Sequence, residues 1–287
     1  MPWLDMLNTI QYYLNQAKTS LTSVCDYPLL EAEILLAYAL RQARAYLYTH
    51  PNYRLSDEES NRFMDYLQRR QSGEPIAYIT GKREFWSLDL LVTQDTLIPR
   101  PETELVVETV LDISKCFDHH PLKVADLGTG CGAIALALAY ERPSWQISAT
   151  DISQYALMVA RQNTTLLSIK NLDFFQGNWC TALPHSDFDV IVSNPPYLAE
   201  TEWVEYAHGL LFEPRHALVS GQDGLDAIKE ICLSSKYFLK SAGFLAIEHG
   251  YSQGLAVRQL FAQAGYNHPE TLRDGSGLER VTLAQCK

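Results

Sequence analysis

From Leu122 onward the chain alternates short apolar runs with stretches of helical period. This alternation constrains the fold more than any single motif does. Strands are predicted over 122–127, 145–150, 172–175, 188–193, 244–248 and 280–283. Helices are predicted over 132–141, 153–166, 225–239 and 254–264, and a long polar loop from Tyr197 to about Asp223. The order implies an α/β class with a doubly wound sheet, because right-handed crossovers lay successive strands parallel. Late stretches around Gly243 and Gly275 suit an antiparallel last strand. The same crossovers bring the first, second and fourth strand ends onto one rim, where open α/β sheets bind ligands.

What stands at those strand ends is chemically specific. After the apolar run 188–192 come Ser193, Asn194, Pro195, Pro196 and Tyr197. Two consecutive prolines cannot donate ladder bonds and hold φ near −65°, so the strand stops in a stiff turn. Asn194 offers an amide oxygen, Pro195 a carbonyl and Tyr197 a flat ring, which together suit a planar NH2 group. Asn194, Pro195 and Tyr197 are the candidate catalytic residues, and Pro196 joins them in the substrate pocket. An ordinary turn would account for the tetrapeptide alone, so its neighbours have to decide.

Upstream, Asp126-Leu127-Gly128-Thr129-Gly130-Cys131-Gly132 forms a glycine-rich turn between a buried strand and a helix. Its spacing departs from the G-x-G-x-x-G pyrophosphate fingerprint. Asp151 ends the second strand and can accept from a ribose diol, as an acid there would in an NAD protein too. Phe174 to Trp179 then sets a polar group beside an aromatic ring, fit to edge and stack an adenine. Four such features in chain order point to S-adenosylmethionine and a class I methyltransferase sheet. The cofactor candidates are Gly128, Thr129, Gly130, Cys131, Gly132, Asp151, Trp179 and Asn194.

The first part of the chain reads differently. From Trp3 to about Gly73 the pattern is helical, with Pro28 in a first turn and Ser56 to Glu59 as a capping box. Nothing there suggests catalysis; a small bundle that holds a partner is expected. Ala77–Thr80 and Leu88–Val92 read as two strands of a hairpin, and Pro101 leads a helix through Leu111. The expected organisation is therefore a helical domain over 1–73, a hairpin linker over 74–96 and a catalytic domain over 97–287.

A net charge of −11 argues against the 287-residue chain embracing a polyanion, so no direct nucleic-acid partner is expected. Arg69, Arg70, Lys82 and Arg83 could form a local basic strip, with a solvated face as the simpler reading. Six cysteines lack paired spacing, so neither a metal site nor a disulfide framework is expected. The amino terminus lacks a basic patch and apolar core, and no apolar run reaches the ~20 residues of a membrane span. A cytoplasmic protein is expected, monomeric by default. His249, alone at a strand end, reads as structural.

The chain resembles the HemK-type protein-(glutamine-N5) methyltransferases that modify peptide chain release factors. The resemblance runs through 73–81, 84–86, 97–104, the glycine turn, Asn178-Trp179, Asn194–Tyr197, Phe212-Glu213-Pro214 and Glu248-His249-Gly250. It implies methylation of the glutamine in a Gly-Gly-Gln loop and a helical domain that binds the release factor. It further implies that Pro99-Arg100-Pro101-Glu102 lines the cofactor cavity. The residues themselves leave glutamine, adenine and guanine open as targets, since all present an sp2 NH2. A nucleobase-amine methyltransferase is the alternative, and a non-catalytic cofactor-binding regulator would leave the Asn-Pro-Pro-Tyr pocket without a purpose.

Overall fold

Thr9 opens the first helix, α1 (Ile10–Leu21), where its hydroxyl accepts from Tyr12 N at 3.2 Å. The computed structural model describes residues 8–117 and 121–287, so the helical stretch read from Trp3 begins outside the described residues. The chain divides into two units, Met1–Gly81 and Lys82–Lys287. In the first, α1 is followed by α2 (Pro28–Leu40), α3 (Arg44–Thr49), α4 (Asp57–Gln71) and α5 (Ile76–Thr80). Pro28 occupies the first turn of α2, and Ser56 and Glu59 form the expected capping box of α4. Ile10, Leu21, Leu35, Leu36 and Phe63 are fully buried and make this unit's core. Arg69 pairs with Glu74 and Arg70 with Glu31, each at 2.6 Å, so these two cations of the suspected basic strip are neutralised locally.

The expected strand at Ala77–Thr80 is a helix instead. Pro75 caps α5, Gly81 ends it at φ 70°, and Ala77, Tyr78 and Ile79 are all buried. Consecutive burial suits a helical turn, whereas a two-faced strand would alternate. The hairpin starts later, with β1 (Lys82–Phe85) antiparallel to β2 (Leu88–Leu91). Trp86 and Ser87 join them at φ 53° and 57°, the left-handed pair that a two-residue type I′ turn needs. Neither residue favours that conformation. Trp86 compensates through bonds from its backbone N to Glu104 Oε1 at 2.8 Å and from its Nε1 to Glu141 Oε1 at 2.9 Å.

A 3-10 turn over Pro101–Thr103 leads into α6 (Glu104–Ile113). Then follow β3 (Lys123–Leu127), α7 (Ala133–Glu141), β4 (Gln146–Asp151), α8 (Gln154–Leu166), β5 (Leu172–Gln176) and β6 (Phe188–Ser193). The chain ends with α9 (Glu200–Leu210), α10 (Asp226–Ser235), β7 (Leu239–Glu248), α11 (Gly254–Ala264), β8 (Asn267–Arg273) and β9 (Glu279–Gln285). The stretch read as a polar loop thus carries α9 and a 3-10 turn at Arg215–Ala217.

The sheet order is β5-β4-β3-β6-β7-β9-β8, with β9 antiparallel to both neighbours. Central β6 is buried at every residue, as a strand covered on both faces must be. Leu127, Phe188, Ile191, Ile228 and Phe261 pack the core on one face. On both sides of β3 the strand ends line up: Leu127 opposes Thr150 and Ser193, and Asp151 opposes Gln176. The strand order reverses between β3 and β6, and the loops that leave those ends define the crevice.

Candidate active site

Gly128, Gly130 and Gly132 all lie at left-handed φ, 72°, 58° and 90°. A methyl group at Gly128 would stand 2.8 Å from the Trp179 ring, so the ring lies directly on the turn. At Gly130 it would meet nothing within 4 Å, because that glycine borders open space. The space is a cleft of about 610 Å³, lined by Gly128, Gly130, Asp151, Trp179, Asn194 and Pro196 among others. Six of the sequence-predicted positions therefore share one wall. Thr129, Cys131 and Gly132 do not line it. Thr129 Oγ1 donates to Asp126 Oδ2 at 2.6 Å, and burial pushes the Cys131 thiol up to about 12. These three shape the turn from behind.

Asp126 holds that turn in place. Its Oδ2 also accepts from Ala135 N at 3.2 Å, tying the turn to the start of α7. Complete burial raises its pKa to about 7, against the pull of the Thr129 bond. Asp151 Oδ2 accepts from Gly130 N at 2.9 Å and its Oδ1 from Ser153 N at 2.8 Å. A carboxylate has about four lone-pair sites, so both oxygens retain capacity for a diol. Burial raises the Asp151 pKa, while the Ser153 and Gly130 bonds lower it. Asn178 also borders the cleft, and its amide nitrogen donates to Glu230 Oε1 at 2.5 Å. Its oxygen is therefore the end left for a ligand amine.

A second cleft of about 510 Å³ adjoins the first and shares Leu97, Asn194, Pro196 and Ala217 with it. Pro195, Tyr197 and Arg100 line only this second space. Asn194 stands where the two meet. Its Nδ2 donates to Thr103 Oγ1 at 3.0 Å, whereas its buried Oδ1 has no hydrogen-bond partner. An unsatisfied buried acceptor costs about 1–3 kcal/mol until something donates to it. Tyr197 turns its hydroxyl back toward Glu248 Oε1 at 3.4 Å and leaves its ring to the pocket. Burial and the Glu248 charge push the Tyr197 phenol well above its usual range.

Several lining residues were not legible in the sequence. Thr96 comes from the end of the expected hairpin linker, and His216 and Ala217 from the stretch read as a polar loop. Glu213 holds the Leu97–Arg100 wall: its Oε2 accepts from Ile98 N at 3.1 Å and its Oε1 from Arg100 at 2.5 Å. The Phe212-Glu213-Pro214 motif marks this contact, but only the fold joins positions 113 apart. His249 is structural as expected, with Nδ1 on the Gly250 carbonyl at 2.9 Å and Nε2 on Thr282 Oγ1 at 2.8 Å. Among the described residues no cluster of His, Cys, Asp or Glu could hold a metal, and no helix is long and apolar enough to cross a membrane.

Comparison with known proteins decides the family. Residues 13–81 match the PrmC N-terminal domain, and residues 103–225 match the methyltransferase small domain. The release factor glutamine methyltransferase of Coxiella burnetii is 46% identical over 92% of this chain and 94% of its own length. The chain belongs to the release factor glutamine methyltransferase family. The Escherichia coli K12 member of the family is 44% identical over 96% of this chain and 98% of its own.

Solved structures show the same fold at low identity. A Pyrococcus furiosus methyltransferase aligns with TM-score 0.52 and 18% identity over 79% of this chain and 98% of that one. A Thermus thermophilus 16S rRNA guanine-N2 methyltransferase, bound to S-adenosylmethionine and guanosine, aligns with TM-score 0.52 and 15% identity. That alignment covers 72% of this chain and 50% of that one. The seven-stranded class I methyltransferase sheet of the release factor glutamine methyltransferase family thus also serves nucleobase chemistry, and only the site distinguishes them.

Proposed function

We propose that this chain methylates the side-chain amide nitrogen of the glutamine in the Gly-Gly-Gln loop of peptide chain release factors, using S-adenosylmethionine. One observation carries the reading within the site: Asn194 lines both clefts, its amide nitrogen is tied, and its buried oxygen has no partner. An amide held that way accepts from an NH2 group and offers nothing to a hydroxyl's lone pairs. The close relatives' names supply the target, a release-factor glutamine.

The residues present fit the cofactor. Gly130 leaves room for close approach, Asp151 can take the ribose diol, Trp179 supplies a ring beside the turn, and Asn178 an acceptor for the adenine amine. Bound S-adenosylmethionine supplies an electrophilic methyl group on a sulfonium. Asn194 Oδ1 and the Pro195 carbonyl accept the two N–H bonds of the substrate amide, which fixes the nitrogen and shifts electron density toward it. Tyr197 covers the amide plane, and the prolines keep the backbone from yielding. Such orientation can lower a barrier by up to ~7–11 kcal/mol. No base need act first, because the alkylated nitrogen is strongly acidic and loses its proton after transfer.

The unit up to Gly81 is proposed to hold the release factor, and translation termination in the cytoplasm to be the setting. Support comes from its match to the PrmC N-terminal domain and from the exposed side chains Tyr27, Tyr38 and Tyr48. Incubation with labelled cofactor and either release factor or nucleic acid, followed by mass mapping, tests the reading. A methyl group on the Gly-Gly-Gln glutamine is expected. Label on nucleic acid and never on the factor would overturn it in favour of a nucleobase amine.

A further inference from the structure

Among the described residues that line the second cleft, Arg100 is the one charged side chain. It shares that wall with Asn194, Pro195 and Tyr197, the residues assigned to the substrate amide, and does not line the first cleft. The family resemblance implies a place for Pro99-Arg100-Pro101-Glu102 beside the cofactor, whereas this arginine stands on the substrate side. We infer that Arg100, oriented by Glu213, donates to a main-chain carbonyl of the Gly-Gly segment that carries the target glutamine. The inference rests on the glutamine-methylating reading above.

Glu213 is what fixes the guanidinium. Its side chain is 2% exposed; its Oε1 accepts from Arg100 Nη2 at 2.5 Å and its Oε2 from Ile98 N at 3.1 Å. One carboxylate therefore grips both the Arg100 side chain and the backbone two residues before it, so the arginine leaves the wall in a set direction. A guanidinium carries five N–H donors. Among the described residues the one hydrogen bond from the Arg100 side chain is that to Glu213, and 34% of the side chain stays exposed. Donors therefore remain for a ligand in the cleft.

Charge decides what those donors suit. Glu213 already cancels the Arg100 cation, so the pair is neutral as a unit and has little pull on a phosphate or a carboxylate. Most of the remaining lining is apolar, with Leu97, Leu198, Leu218 and two prolines, and such walls penalise a ligand that brings an unbalanced charge. A neutral acceptor of fixed direction suits the site, and a peptide carbonyl is one. Glycine lets that carbonyl come close, since no side chain stands between its backbone and the wall. Arg100 thus acts on the loop's binding, while Asn194 and Pro195 act on the reacting nitrogen.

The test is methyl transfer to a release factor with KM and kcat separated, together with cofactor affinity by calorimetry and the thermal midpoint. Arg100→Met should raise the KM for the factor by about 10- to 100-fold, the worth of one charge-assisted hydrogen bond, with the loss falling on KM more than on kcat. The cofactor Kd should stay unchanged, which also reports an intact wall because Leu97 lines both clefts. Removing the arginine leaves Glu213 as a bare buried charge, so Arg100→Met is also made together with Glu213→Gln. Where the bare charge unfolds the single variant, the double variant reads the same KM. Glu213→Gln alone should raise KM too, and the double variant should lose no more than Arg100→Met, because the two side chains act as one unit. A wild-type KM without the arginine, a weakened cofactor Kd with KM unmoved, or losses that multiply in the double variant would overturn the assignment alone. A wild-type protein that never labels the glutamine would overturn the parent reading and this one with it.

Discussion

Alanine at Gly130 and at Gly128 should separate what the turn does for binding from what it does for folding. Both positions have left-handed φ, 58° and 72°. An L-residue there costs about 1–2 kcal/mol, offset by about 0.4–1 kcal/mol from a stiffer unfolded chain. For Gly130→Ala the added methyl meets nothing within 4 Å, so the net cost should be only about 0.5–1.5 kcal/mol. At about 2–4 °C per kcal/mol for a unit of this size, the midpoint should fall by only a few degrees. For Gly128→Ala the methyl would stand 2.8 Å from Trp179 Cζ3, which adds an overpacking cost of about 1–3 kcal/mol. Calorimetric titration with S-adenosylmethionine supplies the second axis. Gly130 borders the cleft, so its methyl should weaken binding by at least about tenfold, or about 1.4 kcal/mol. If Gly130→Ala binds like the wild type yet loses as much stability as Gly128→Ala, the reading of Gly130 as an open ligand wall is wrong.

Three further outcomes follow from the same geometry. Asn194→Ala should abolish methyl transfer while leaving cofactor affinity largely intact; turnover near normal would remove the amide clamp from the mechanism. Asp151→Ala should raise the cofactor Kd by roughly 10- to 100-fold, the worth of one charge-assisted hydrogen bond at about 1.5–3 kcal/mol; an unchanged Kd would reject the ribose role. Burial lowers the His249 pKa below its ordinary value, so on acidification below that value the unfolded chain gains a proton that the folded one resists, and stability falls. The slope is bounded at about 1.4 kcal/mol per pH unit. Asp126 and Glu248 slope oppositely, because both are raised to about 7 and are costly to bury when ionised. The difference between wild type and His249→Gln in urea titrations across mildly acidic pH isolates the histidine, and a difference independent of pH would contradict its buried neutral state.

The rim of the sheet was legible because its residues sit where backbone rules are strict. Glycines with left-handed φ, a double proline and a strand-ending acid announce themselves locally, and βα alternation then places them together. Elements without such a local signature were missed. β8 is an edge strand of mixed exposure that contains Pro269, so its sequence shows no apolar alternation. Ile76–Thr80 is rich in β-branched residues, yet Pro75 and Gly81 impose a helical turn. Glu230, Glu213 and Thr103 act on partners 52, 113 and 91 positions away. Such pairings exist only once the strands have assembled, and no spacing rule reaches them. Asn163 is similar, a helix residue whose polarity looks incidental until its surroundings form.

That asparagine is fully buried, and its amide does the work of a missing neighbour strand. Its oxygen accepts from Leu91 N at 2.7 Å, while its nitrogen donates to the carbonyls of Leu91 at 3.0 Å and Cys131 at 2.9 Å. One planar group therefore sets the hairpin and the glycine turn in a common frame. A hairpin transplanted onto another methyltransferase sheet would arrive with Leu91 unmatched on both of its backbone groups unless position 163 travelled with it. The three segments form a single exchangeable part, even though the chain separates them by more than thirty residues at each step.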